Sequence, residues 1–250
     1  MNPLWAVIGV IPFALAPWIP RPFLFEWRQN GRPLWRLPAG RKVALTFDDG
    51  PDIENTPRLL DILDEYRISA TFFVVGSHTA KYPDLVHRID ERGHDIGSHG
   101  MTHRYLAFRS KHSYIAEVRE AVSRLEDLLG KSVFLFRPPY GVRSPGLYGF
   151  LEEEGLRPVL WDIMAYDWLK TSSRRIANRV LRSVREGSII LLHDGGGERS
   201  MTIASIPLIA RGIRERGFHF TRLANVSDSS RIPTRLHERF IQSNEVFLDT

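Results

Sequence analysis

The chain has 250 residues and a formal net charge of +5, and its 43% hydrophobic and 25% charged residues are ordinary for one large globular domain. It contains no cysteine, which excludes disulfides and thiolate metal sites. The arginine-rich positive charge is dispersed and no DNA- or RNA-binding motif accompanies it, so we expect no nucleic-acid partner.

The first predicted element is a hydrophobic N-terminal segment, residues 1–20, and its residues 3–20 carry no charged side chain. As a helix rising about 1.5 Å per residue it would reach roughly 27 Å, barely the hydrocarbon thickness of a bilayer. No basic region precedes it, and Pro17 directly follows the cleavage-site-like Ala14-Leu15-Ala16. We therefore expect an uncleaved membrane anchor rather than a signal peptide; packing of the segment against the folded domain is the alternative.

The flank after this segment carries the arginines Arg21, Arg28, Arg32 and Arg36. The positive-inside rule would keep such a flank cytoplasmic, although the rule is weaker when a large domain follows. We expect a domain outside the cell membrane, anchored or secreted, and a domain on the cytoplasmic side stays open.

Residues 21–41 are rich in proline and are predicted to form an extended lead-in. Apolar runs then alternate with amphipathic stretches. The predicted strands are 43–47, 71–75, 95–98, 134–137, 159–162, 189–193 and 218–222. The predicted helices are 58–66, 83–92, 114–129, 146–154, 174–185 and 203–216. This order indicates parallel crossovers, so residues 42–223 are predicted to form a distorted (β/α)7 barrel, and residues 224–250 a polar tail without an assigned role.

Polar clusters follow five of the predicted strands, and the carboxyl ends of barrel strands open on one face, where active sites are built. In chain order the clusters are Asp48-Asp49, the segment from Ser98 to His103, Arg137-Pro138-Pro139-Tyr140-Gly141, Asp167-Trp168 and Leu191-Leu192-His193-Asp194. Turn chemistry alone explains one such cluster but not five on the same face.

His99 and His103 are four residues apart, so on a helical turn both imidazoles would point to the same side. With one carboxylate from the Asp48-Asp49 pair they would form a set of three ligands with open positions, as in catalytic divalent sites. Imidazole with carboxylate suits Zn²⁺ best, and Co²⁺, Ni²⁺ or Mn²⁺ are possible by geometry.

The ordered motifs TFDDGPD, SHGMTH, RPPYG, DW and LLHD resemble those of the polysaccharide deacetylase family, the NodB-homology domain of carbohydrate esterase family 4. The resemblance runs from about Lys42 to Leu223, and the segment after His193, with Arg199 and Thr202, is also similar to bacterial members. It implies hydrolysis of the N-acetyl group of N-acetylglucosamine-type residues in peptidoglycan or a chitin-like glycan, releasing acetate.

The resemblance also implies a role for each matching residue. Asp49, His99 and His103 would hold the metal, Asp48 would be the general base and His193 the general acid. Arg137 would keep Asp48 ionised, and Asp167 would raise the pKa of His193. The backbone N–H of Tyr140, with the metal, would stabilise the oxyanion. Trp168 and Leu191 would form the walls of a pocket for the acetyl methyl group.

One departure from the family pattern is Met164, where many members carry an acidic residue; we expect a changed pocket wall and intact chemistry. Two alternatives remain open, an O-acetyl xylan esterase and a membrane-tethered protein that binds glycan without turnover. The expected partners are the glycan and, through residues 3–20, a membrane, and the expected state is a monomer.

Overall fold

The computed structural model describes residues 33–106, 109–141 and 146–224. The apolar segment 3–20, most of the predicted lead-in and nearly all of the polar tail lie outside the described residues. Within the described ranges, none of the helices combines the length and the apolar character that crossing a membrane would need.

The described residues form eight strands and seven α-helices. The strands are β1 (Lys42–Asp48), β2 (Thr71–Val74), β3 (Asp95–Ser98), β4 (Leu135–Phe136), β5 (Arg157–Pro158), β6 (Ile163–Met164), β7 (Ile189–His193) and β8 (His219–Phe220). The helices are α1 (Asn55–Glu65), α2 (Gly76–Lys81), α3 (Pro83–Glu91), α4 (Lys111–Leu129), α5 (Leu147–Glu153), α6 (Ser173–Ser183) and α7 (Ser200–Glu215).

Local sequence explains where the long helices begin and end. The hydroxyl of Ser110 accepts a hydrogen bond from the backbone N–H of Ser113, so it caps the start of α4. That helix ends at Gly130, whose φ of 64° is a left-handed conformation that glycine adopts at little cost. Ser172 caps α6 in the same way through the N–H of Arg175.

The sheet is parallel throughout and has the order β5-β4-β3-β2-β1-β7-β6, with β8 beside the start of β1. Its two edge strands, β5 and β6, are consecutive in sequence and are joined by residues 159–162 alone. Such a link spans at most about 17 Å, whereas the edges of a flat sheet of this width would lie about 29 Å apart. The sheet must therefore curl, which confirms the predicted distorted barrel.

Alternate residues along each strand pack on opposite faces of the curled sheet. In β1, Val43, Leu45 and Phe47 belong to the apolar cluster that includes the buried side chains of the helices. Ala44 belongs to a second cluster with Phe73, Leu135 and Ile189. By alternation, Thr46 and Asp48 share the inner face of the sheet with Ala44. The inner face of β1 therefore becomes polar toward the carboxyl end of the strand.

The described end of the lead-in packs against the second cluster, the one that contains Ala44. Leu34 is 9% exposed and Leu37 is 6% exposed, and both contact that cluster. The backbone N–H of Leu34 donates to Pro158 at 2.8 Å, and the N–H of Leu160 donates back to Leu34 at 2.9 Å. Residues 34–37 therefore contribute to the core beside β5.

The six predicted helices are confirmed as α1 and α3 to α7, with ends shifted by a few residues. One predicted strand is wrong: residues 159–162 connect β5 to β6, because the chain crosses there from one sheet edge to the other. The short helix α2 was not predicted, since its six residues carry no apolar periodicity.

Candidate functional site

The carboxyl ends of neighbouring strands bring the polar clusters together. Asp48, the last residue of β1, lies in register with His193, the last residue of β7. His99 follows β3 directly, and its backbone N–H donates to Val74 at the end of β2. Each of these side chains is thus fixed at a strand end rather than in a long loop.

Asp48 is buried and paired with a buried arginine. Its Oδ1 accepts a hydrogen bond of 2.7 Å from Nη1 of Arg137, which also donates to the hydroxyl of Thr46 at 2.8 Å. The guanidinium, with no exposed surface, donates through Nη2 to the carbonyl of Leu160 at 3.1 Å and stacks over the ring of Phe73. Oδ2 of Asp48 is 3.6 Å from Nε2 of His99 and faces the site.

Asp49, His99 and His103 each offer one ligand atom, and these atoms lie within 4.8 Å of one another. Oδ1 of Asp49 is 3.4 Å from Nε2 of His99 and 3.0 Å from Nε2 of His103. The two imidazole rings lie 5.0 Å apart between centroids. Two nitrogens and one oxygen therefore converge on a common point.

The residues present fit a divalent ion at that point. Nδ1 of His99 lies 2.7 Å from the carbonyl oxygen of Arg137, which fixes the proton on Nδ1 and leaves the lone pair of Nε2 free for a metal. Among the described residues, buried Oδ1 of Asp49 has no well-formed hydrogen bond despite its short distances to the imidazoles. Burial raises the pKa of Asp49, but the neighbouring His103 and His99 more than reverse this effect, so the carboxylate is ionised.

The predicted i, i+4 arrangement of His99 and His103 on a helical turn is wrong. Residues 99–106 form a loop, in which Gly100 has a φ of 80° and His103 a φ of 54°. These left-handed residues turn the chain back on itself, so the two rings converge through loop geometry. The spacing indicated the pairing but not the backbone that produces it.

Asp167 accepts two hydrogen bonds from His193. Nδ1 of His193 donates to Oδ1 of Asp167 at 2.9 Å, and its backbone N–H donates to Oδ2 at 2.9 Å. The hydroxyl of Thr202 donates to the same Oδ2 at 2.9 Å, which fixes the carboxylate from the side of α7. Burial lowers the pKa of His193, but the hydrogen bond and the charge of Asp167 more than reverse this effect and raise it.

Two glycines allow the loops after β1 and β7 to touch. A Cβ on Gly50 would lie 2.1 Å from Oδ2 of Asp194, and one on Gly195 would lie 2.1 Å from the carbonyl oxygen of Asp49. Only glycine fits at such distances, because real Cβ atoms do not approach other heavy atoms so closely. Asp194 is itself buried and accepts a hydrogen bond of 2.6 Å from the hydroxyl of Thr56.

Tyr140, Trp168 and Leu191 lie around the same strand ends. The ring of Tyr140 is 4.6 Å from that of His103, and the ring of Trp168 meets His193 edge-on at 5.3 Å. Leu191 lies in β7 two residues before His193 and is in register with Met164 of β6. Met164 therefore lies beside the expected pocket wall.

Several residues without a predicted role support the site. Nδ1 of His78 lies 3.0 Å from the carbonyl oxygen of Asp49, and Arg199 donates to the carbonyls of Gly195 and Gly196. The position of His78 soon after β2, at the same end of the sheet, was the available signal. For Asp194 the only available signal in the sequence was its place in the LLHD motif.

Residues 37–159 match the family model described as polysaccharide deacetylase. The chain is 34% identical over 204 residues to a Bacillus cereus peptidoglycan-N-acetylglucosamine deacetylase, covering 80% of this chain and 95% of the relative. It is 36% identical over 187 residues to a Sinorhizobium fredii chitooligosaccharide deacetylase, covering 70% and 87%.

A solved structure shows the same fold at a TM-score of 0.78 and 32% identity, covering 82% of this chain and 96% of that one. It is the crystal structure of the Bc1960 peptidoglycan N-acetylglucosamine deacetylase in complex with 4-naphthalen-1-yl-N-oxidanyl-benzamide. The motifs, the curled sheet and the relatives agree, and the chain belongs to the polysaccharide deacetylase family.

Proposed function

We propose that the protein is a metal-dependent deacetylase that hydrolyses the N-acetyl group of N-acetylglucosamine-type residues in a glycan. The amide C–N bond breaks, water supplies the oxygen of the released acetate, and the amine receives a proton. The observation that carries the proposal is the convergence of the Asp49-His99-His103 group with a buried Asp48-Arg137 pair and a His193-Asp167 pair at one set of strand ends.

Asp48 is the base in this proposal. Because Oδ1 is bound by Arg137, the oxygen available to water is Oδ2, which faces the site. The guanidinium keeps the carboxylate in place and compensates its charge in a buried position. Asp48 Oδ2 takes a proton from the water that attacks the acetyl carbonyl.

His193 is the acid. Asp167 binds its Nδ1, so Nε2 is the nitrogen left to deliver a proton to the leaving amine. The raised pKa of the imidazole keeps it protonated at a pH where a free histidine would be largely neutral. The Asp48 and His193 positions are partners across two adjacent strands, so the base and the acid flank one bound group.

Asp49, His99 and His103 are the proposed metal ligands. A divalent ion bound there would polarise the acetyl carbonyl and lower the pKa of water. We propose Zn²⁺, because two imidazoles and one carboxylate are its usual catalytic ligands, and Co²⁺, Ni²⁺ or Mn²⁺ would fit the same donors.

Three further residues complete the proposed site. The backbone N–H of Tyr140 would stabilise the developing oxyanion, a contribution typically worth about 3 kcal/mol per donor. Leu191 and Trp168 would enclose the acetyl methyl group, and Met164 would change one wall of this pocket. Support for these roles comes from their place beside His103 and His193.

Acetate release from N-acetylglucosamine oligomers, peptidoglycan and acetylated xylan, measured side by side after chelation and metal addition, tests the proposal. We expect release from the N-acetylated substrates, abolished by chelation and by His103→Ala, and retained by His112→Ala, which removes an exposed histidine of α4. Release from xylan alone would indicate an O-acetyl esterase. Oligomer binding without release from any substrate would indicate a binding protein.

We further propose that residues 3–20 attach a monomeric enzyme to the bacterial membrane with the domain outside, where peptidoglycan is accessible. The support is the apolar sequence of that segment and its length. Protease treatment of intact cells tests the orientation: cleavage of the domain is expected, and full protection would place it on the cytoplasmic side.

A further inference from the structure

Tyr166 presents an aromatic ring to solvent next to the proposed acid. It lies in the segment between β6 and α6, one residue before Asp167, and is 39% exposed. The same short stretch of backbone therefore positions the exposed ring of Tyr166 and the carboxylate of Asp167, which binds His193.

The backbone at Tyr166 has an unfavourable conformation. Tyr166 has a φ of 53°, which a bulky L-residue rarely adopts. Among the described residues the other non-glycine positions with positive φ are Asp49, His103 and Tyr140, all at the proposed site, and Arg67, just after α1. Strained backbone gathers at functional sites, where the surrounding structure maintains it.

Arg179 of α6 maintains the conformation. Its Nη1 donates to the carbonyl oxygens of Ala165 and Tyr166, each at 3.2 Å, and its guanidinium lies 5.7 Å from the centre of the Tyr166 ring. The N–H of Leu169 donates to the carbonyl of Tyr166 as well, at 3.2 Å. The backbone that carries the ring is therefore fixed before any ligand binds.

The ring continues an aromatic row that begins at the acid. The rings of Tyr166 and Trp168 lie 5.3 Å apart, and Trp168 lies 5.3 Å from His193. Trp168 is half-buried between the two, so the row runs from the reaction centre to the surface. Its outer end is the exposed ring of Tyr166.

We propose that Tyr166 is the stacking platform for the sugar unit that adjoins the reacting unit on the His193 side of the glycan. A pyranose ring presents a face of C–H groups, which are attracted to the electron-rich face of an aromatic ring. A ring on a backbone that is already fixed loses little conformational entropy on binding, so it favours glycans that carry the adjoining unit over the single sugar. The inference rests on the proposed deacetylase function.

The test compares acetate release from N-acetylglucosamine itself and from its oligomers up to the pentasaccharide, by the wild type and three variants. Tyr166→Asn removes the ring but tolerates the left-handed backbone, and Tyr166→Phe keeps the ring. Leu169→Ala is the matched control, because it removes a 48% exposed apolar side chain from the same loop. Binding of the pentasaccharide is also measured in the Asp48→Asn background, where turnover is blocked.

Tyr166→Asn is expected to raise KM for the pentasaccharide roughly 3- to 10-fold with unchanged kcat, and to leave N-acetylglucosamine itself, which has no adjoining unit, unaffected. The Kd of the pentasaccharide, measured in the Asp48→Asn background, should rise by the same factor. Tyr166→Phe and Leu169→Ala should behave as the wild type. Equal KM and Kd for Tyr166→Asn and the wild type, or an equal loss in Leu169→Ala, would overturn the inference. If the wild type releases no acetate, the proposed function fails and the Kd comparison still decides the role of Tyr166.

Discussion

Nη1 of Arg137 donates a hydrogen bond of 2.7 Å to Oδ1 of Asp48, and neither side chain has more than 4% of its surface exposed. The adjacent carboxylate, Asp49, lies instead 3.0 Å from Nε2 of His103. Two neighbouring aspartates thus have different partners, an arginine for Asp48 and the histidines of the proposed metal site for Asp49. This division underlies the proposed separation of base and metal ligand.

Replacing Arg137 by methionine should leave Asp48 buried without its partner. Removing one member of a buried pair typically costs about 3–5 kcal/mol, so we expect a loss of this size in the free energy of unfolding and no detectable deacetylation. Urea denaturation monitored by fluorescence measures the stability. Arg119→Met, which breaks an exposed pair with Glu154, is the control and should change stability little. Equal effects of the two variants would contradict the assigned role of Arg137.

Asp167→Asn should change the pH dependence of kcat. The pKa of His193 is raised in the folded protein, so the protonated acid persists to higher pH, and activity is lost as the pH rises through that raised value. Without the carboxylate, burial remains and lowers the pKa, so the basic limb of the profile should move to lower pH. At pH 8 we expect kcat to fall roughly 10- to 100-fold.

Thr202→Val provides a graded comparison, because it removes only the hydrogen bond between the Thr202 hydroxyl and Oδ2 of Asp167. The carboxylate that raises the pKa of His193 is retained in this variant, so the basic limb should move far less than in Asp167→Asn. A profile in Asp167→Asn that falls in height without moving along the pH axis would exclude the proposed effect on His193.

Asp194 should make stability depend on pH. Burial raises the pKa of its carboxyl to about 7, with a partial offset from the Thr56 hydrogen bond. The folded state therefore keeps a proton that the unfolded chain loses near pH 4, and stability declines as the pH rises from about 4 to about 7. Asp194→Asn removes this decline, so its Tm at pH 8 should exceed that of the wild type by roughly 10 °C. Thermal unfolding at several pH values measures this difference, and parallel curves would contradict it.

The barrel and its polar strand ends could be predicted from the sequence because both depend on local patterns. Apolar runs such as residues 43–47 and 189–193 form strands in the core, and the polar residues that follow them lie at the same end of a parallel sheet. The residues of the proposed site were found in this way. Their roles come from the resemblance and stay proposals.

The rest depended on tertiary contacts that no local pattern records. The segment 159–162 is apolar enough for a strand, but the curl of the sheet makes it the link between two edges. His99 and His103 have helical spacing, yet left-handed Gly100 and His103 produce the convergence. The function of Gly195 in admitting the carbonyl of Asp49 appears only when the two loops meet.

The most direct test of the account measures metal content and acetate release in Asp48→Asn and Asp49→Asn, purified in parallel. Asp48→Asn should keep about one divalent ion per chain and lose roughly 10²- to 10⁴-fold in kcat. Asp49→Asn should lose both the ion and the activity, with partial recovery at high metal concentration. Loss of the ion in Asp48→Asn, or full metal content in Asp49→Asn, would contradict the division of roles between the two aspartates.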